Sequence, residues 1–169
     1  MQWRLTVSKI NRTLFRKYHR GSTLVEVLVT LFIMAVGLLG LASIQMISIK
    51  NVNNSQFRTL ATDYAYDMVE RMRANTSGVD DGKYDLLSTS GATSINCSTC
   101  STSEVAQLDE YEWSMLITQD VLLGGLPSGS GTVTADGEVY DIHIEWNEQD
   151  RDNSGGLVNT AEFTLSVQL

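Results

Sequence analysis

Proline occurs once in the 169 residues, at Pro127, and cysteine and histidine twice each. One proline excludes proline-rich linkers, and two cysteines cannot build a disulfide-dense scaffold. Enzyme motifs are missing as well: there is no Walker A sequence, no GxSxG, no HExxH and no dinucleotide fingerprint. Basic residues are scarce. Twelve Lys and Arg face twenty Asp and Glu, a formal net charge of −8. Phosphate contacts need clustered Lys and Arg, so direct nucleic-acid binding is excluded as a function class. The hydrophobic share of 43% suffices for a core and argues against a wholly disordered chain. The length fits one domain.

The basic residues that exist are unevenly spread. Residues 1–21 hold Arg4, Lys9, Arg12, Arg16, Lys17 and Arg20 and no acid, a charge of +6. The remainder sets six basic side chains against twenty acidic ones, −14. A basic head is therefore joined to a strongly acidic body.

Between them, residues 27–49 form a run of 23 without a charge. As a helix it is about 35 Å long at 1.5 Å per residue, enough to cross a hydrocarbon core of about 30 Å. Its only polar side chains are Thr30, Ser43, Gln45 and Ser48, too few for the wet face of a soluble core helix. The basic flank precedes the run, so residues 1–21 stay cytoplasmic and the acidic body lies across the inner membrane. The run is too long for the apolar region of a secretory signal peptide.

Glu26 stands at the cytoplasmic edge of this run, within GSTLVEVLVTLF. A carboxylate there is costly in lipid unless paired or solvated at the headgroups. A basic leader, Gly21, four residues, Glu26 and then an apolar helix resembles the class III signal of type IV prepilins. The resemblance implies cleavage by prepilin peptidase between Gly21 and Ser22, N-methylation of Ser22, and Glu26 as the fifth mature residue. It also implies that Glu26 neutralises the amine of a neighbouring subunit and fixes axial register in the fibre. The family usually has Phe where Ser22 stands.

Residues 51–75 continue the helix amphipathically, with Phe57, Leu60, Ala61, Tyr64, Ala65, Met68 and Met72 at helical spacing and Val69 beside them. This stripe is expected to pack on a sheet. Asp67 and Arg71 form an i,i+4 surface pair, and 75–78 (NTSG) is the expected stop. Residues 76–104 read as a long polar loop with room for short ordered pieces. Residues 112–118 (EWSMLIT) read as a strand or short helix, and 131–135 as a short strand. Asp136-Gly137 signals a hairpin turn. Residues 139–146 alternate Tyr140, Ile142, Ile144 and Trp146 against Asp141, His143 and Glu145. The end alternates Ala161, Phe163, Leu165, Val167 and Leu169 with polar residues. Period-2 alternation with one wet face predicts an antiparallel sheet.

The body narrows the resemblance. Glu70-Arg71-Met72-Arg73-Ala74-Asn75 looks like the PilV group of minor pilins. So does the set Cys97-x-x-Cys100, Ala106, Asp109, Trp113, Leu126-Pro127, Gly129, Gly131 and Val133. The expected fold is α+β, the type IV pilin fold: a long N-terminal α-helix packed on a small antiparallel β-sheet head. Its parts are a leader (1–21), a transmembrane and assembly half-helix (22–50), an amphipathic half-helix (51–75) and a periplasmic head (76–169). The implied function is that of a minor pilin that primes or modifies type IV pilus assembly, with effects on piliation, adhesion and twitching motility. Implied partners are prepilin peptidase, other minor pilins, the major pilin, the inner-membrane assembly platform and a large tip adhesin. The alternatives are a minor pseudopilin of a type II secretion system and an unprocessed single-span periplasmic binding domain.

Cys97 and Cys100 fall in the expected periplasmic body, where oxidation is allowed. A short loop disulfide is expected there, with two free thiols as the alternative. A zinc site would need two further ligands, and His143 is the sole histidine outside the leader. Residues 150–155 (DRDNSG) resemble the start of a calcium loop, but the closing position 161 is Ala, and a solvated turn is the simpler reading. Asp80-Asp81 and Asp109-Glu110 read as surface charge. No catalytic residue, metal or cofactor is expected.

Overall fold

A computed structural model of the chain describes residues 23–149 and 158–169. The basic leader, Gly21, Ser22 and the acidic segment 150–155 lie outside the described residues. The chain divides into two units, residues 1–42 and 43–169.

From residue 23 onward, the first unit is the start of helix α1, Leu24–Ala74. Thr23 caps it: its Oγ1 accepts the Glu26 backbone N–H at 3.3 Å. Thr23-x-x-Glu26 has the spacing of a capping box, and a carboxylate in the first turn suits the positive end of the helix dipole. Every described side chain here from Leu24 to Ala42 is exposed. Gly37 and Gly40 have open space around them and do not interrupt the helix. By length and composition α1 can cross a membrane.

The second unit holds the rest of α1 and the head. After α1 come α2 (Thr76–Asp80), β1 (Leu86–Ser88), α3 (Thr102–Thr118), a 3-10 turn (Val121–Leu123), β2 (Ser130–Asp136), β3 (Val139–Gln149) and β4 (Val158–Gln168). The strands form one antiparallel sheet in the order β1-β2-β3-β4. The expected α+β layout of a long N-terminal helix and an antiparallel sheet is present. Asp136 pairs with Val139, so the two-residue loop is Gly137-Glu138, with Gly137 at φ +66. A glycine at positive φ in the first loop position is what a type II′ hairpin requires.

The core joins one face of α1 to one face of the sheet. Ala61, Ala65, Met68, Val69 and Met72 are buried with Val133, Tyr140, Ile142, Ile144 and Trp146, and Phe163, Leu165 and Val167 pack against them. Each fully buried large apolar side chain is worth about 1.5–3 kcal/mol.

Within residues 76–104 the short ordered pieces are α2, which Asn75 caps by accepting the Gly78 N–H, and β1, which adds a fourth strand. Residues 112–118 are not a strand but the last two turns of α3. Ser101 and Glu104 start that helix with a reciprocal capping box.

Candidate functional site

Two regions bear on function: the helix start around Glu26 and the cluster that fixes the head to α1. At the first, Glu26 is an exposed residue in the first turn of α1, three residues after its cap. The Gly21–Ser22 bond lies outside the described residues.

At the second, three side chains of α1 reach the head at intervals of six and seven residues. Arg58 makes a two-pronged ion pair with Glu148 of β3, at 2.8 and 3.1 Å. That hydrogen bond, with the nearby charge, raises the guanidinium pKa. Tyr64 accepts the Trp113 indole N–H on its backbone oxygen at 2.9 Å and donates its hydroxyl to Gly124 O at 2.6 Å. Arg71 binds Asp67 at 2.7 Å, Glu112 at 2.7 Å and Asp109 at 3.2 Å. Burial opposes charge on Arg71, but Glu112, Asp67 and Asp109 outweigh it and raise its pKa.

Asp109 is therefore not surface charge. It is buried, and its second oxygen accepts the Tyr84 hydroxyl. Burial first, and Asp109 second, push the Tyr84 phenol above its ordinary range. Asn75 completes the network by donating to Tyr84 Oη at 3.1 Å and to Thr102 O at 2.8 Å. One network thus ties the end of α1 to α2, α3 and the segment before β1. A buried polar cluster with its partners present defines one arrangement of elements.

Several of the motif residues pack around this network. Ala106, Asp109 and Trp113 lie on the inner face of α3. Gly131 sits under Trp113, where a Cβ would stand 2.5 Å from the ring and 2.9 Å from Ile117. Leu126 is buried and its N–H bonds Ile117 O at 3.0 Å. Pro127 O accepts the Asn147 N–H at 2.8 Å. Cys97 and Cys100 are joined as a disulfide just before α3. Sequence reasoning missed Tyr84, Asn75 as a network member, and Glu148; nothing in local spacing marks a pair such as Arg58–Glu148, 90 residues apart.

On the wet face of the sheet, His143 Nε2 lies 3.0 Å from Glu145 Oε1 and 3.9 Å from Glu162 Oε2. Ligand-capable atoms of the three fall within 4.8 Å of one another. They could hold a cation by geometry, although all three are solvent-accessible.

Residues 16–42 match the model of the prokaryotic N-terminal methylation motif. The motif supports a type IV pilin-like protein. It covers Gly21, Ser22, Glu26 and residues 27–42 of the apolar run. It points to a structural, generally non-enzymatic family, to processing by prepilin peptidase and to assembly with pilin partners. No curated protein and no solved structure matches the chain significantly. The pilin-like fold, with its long helix and four-stranded sheet, agrees with the motif.

Proposed function

We propose that the chain is a minor pilin of the PilV type that primes or modifies type IV pilus assembly. It acts with other minor pilins and the major pilin, at the assembly platform and then at the pilus tip beneath a large adhesin. Adhesion, piliation and twitching motility follow from that position. The observation that carries this reading is the methylation motif over residues 16–42, which runs into the exposed apolar start of α1. Within the head's motif set, the meeting of Trp113 with Gly131 and of Asp109 with Arg71 supports the narrower assignment.

In this reading prepilin peptidase cuts between Gly21 and Ser22 and Ser22 is methylated. The new amine is positive at the end of an apolar helix. A carboxylate from the neighbouring subunit, Glu26, neutralises it where water is excluded, and a mismatched register leaves both charges unpaired. Before assembly, the apolar run is parked in the inner membrane.

Mass spectrometry of the mature N-terminus tests this. A methylated Ser22 is expected; an intact Met1 or another first residue overturns the prepilin reading. A pseudopilin of a type II secretion system would share that N-terminus. Co-purification separates the two, with minor pilins and a tip adhesin expected here and secretion components overturning the pilus assignment.

A further inference from the structure

Val121, Leu122 and Leu123 form a single exposed 3-10 turn: they are 44%, 94% and 74% exposed. Scattered surface leucines need no explanation, but three consecutive apolar side chains at one turn are a contact surface in search of a partner. The turn is held in a defined place. Asp120 caps it by accepting the Leu122 N–H at 2.8 Å, and Gly124 closes it in the left-handed conformation at φ +107. Tyr64 fixes Gly124 through its 2.6 Å hydrogen bond.

The position along α1 identifies the partner. Gly124 is pinned at the level of Tyr64, whereas Val121 lines a hollow with Asn53, Asn54 and Phe57. The segment therefore descends α1 towards its apolar end. There, Ile44, Met46, Ile47 and Ile49 are exposed, and Lys50 is the first charge after Glu26. Asn53 is three residues past Lys50, about 4.5 Å along the helix. The headgroup layer beyond each side of the hydrocarbon core is roughly 5–8 Å deep. Of the residues beside the turn, Asn53 and Asn54 thus lie within headgroup depth, with Phe57 about 10 Å past Lys50.

We propose that Val121–Leu123 is a membrane-contact turn, which seats Leu122 and Leu123 in the periplasmic leaflet while α1 is parked in the bilayer. The occupant is a lipid surface, and the contact is apolar: Asp120 is the nearest charge in sequence and the body is strongly acidic, so anionic lipid gives no attraction. The proposal rests on residues 27–49 spanning the membrane, and its test separates the two.

The full chain is reconstituted in phosphatidylcholine vesicles with Cys97 and Cys100 left oxidised. Leu122→Cys, Ile33→Cys and Glu138→Cys are each labelled with an environment-sensitive fluorophore, and quenching by brominated acyl chains is measured. Expected is quenching at 122 several-fold above that at 138, unchanged by anionic lipid and lost when Leu123→Asp is added. Quenching at 33 with none at 122 overturns the turn proposal and leaves the span intact. No quenching at 33 overturns the span and the proposal with it. A dry probe at 122 only in assembled fibres, and never in vesicles, makes the turn a subunit contact and also overturns it.

Discussion

Gly131 is the floor on which Trp113 rests: a methyl group at residue 131 would stand 2.5 Å from Trp113 Cη2. Neither residue is free to change alone. Gly131→Ala should destabilise the head by about 1–3 kcal/mol, the cost of overpacking a filled core. Chemical denaturation of the detergent-solubilised chain, followed by Trp fluorescence, measures it. An unchanged midpoint would mean the ring shifts at no cost.

Arg71→Met removes the cation facing Asp109, Asp67 and Glu112. The buried Asp109 carboxylate then keeps only Tyr84 among the described partners in the network. A loss of about 1–3 kcal/mol is expected. Asp109→Asn in the same background should recover part of it, because the uncompensated charge goes. A double-mutant cycle reads the coupling.

The Tyr84 and Tyr140 phenols both titrate above their ordinary range. Burial is the first cause for each, with Asp109 and Asp85 respectively beside the hydroxyl. A raised folded pKa means that the native state holds its protons longer than the unfolded chain. The stability these groups contribute is complete below the unfolded value of about 10 and falls as pH rises towards the folded values. The thermal midpoint should therefore drop above about pH 10. Tyr84→Phe should lower the midpoint at neutral pH and flatten that alkaline drop; an equally steep drop in the variant would assign it to other groups.

Glu26→Ala should leave cleavage and membrane insertion intact and impair incorporation into the fibre. Immunoblots of sheared pili against membranes give the ratio. Normal incorporation would sink the proposed register role.

Alkylation of unreduced protein should label neither Cys97 nor Cys100, and reduction should expose both. The ring is short, so breaking it should cost less than about 2 kcal/mol. Full labelling before reduction would refute the pairing.

Much of the fold was legible because its periodicities are clean. The stripe from Ala61 to Met72 is buried as its 3.6 spacing implies. In β3, Tyr140, Ile142, Ile144 and Trp146 all face the core. Helix α3 was hidden because Asp109 and Ser114 sit on its buried face and break the apolar stripe. Its start was nevertheless written in Ser101-x-x-Glu104, a capping box that marks a helix whatever follows. The motif members were visible as letters, but their meeting was not: Trp113 over Gly131, and Asp109 between Arg71 and Tyr84, are long-range contacts. Tyr84 carries no local signal at all, since its role depends on a carboxylate 25 residues away.

The three attachments of α1 to the head also have a mechanical reading. Arg58, Tyr64 and Arg71 are spaced by about 10 Å along the helix axis. A pull along α1 loads all three together in shear, across two charge clusters and an indole hydrogen bond, rather than peeling them off one after another. The head should yield to such traction abruptly, at one high force, and not by gradual unravelling from α1.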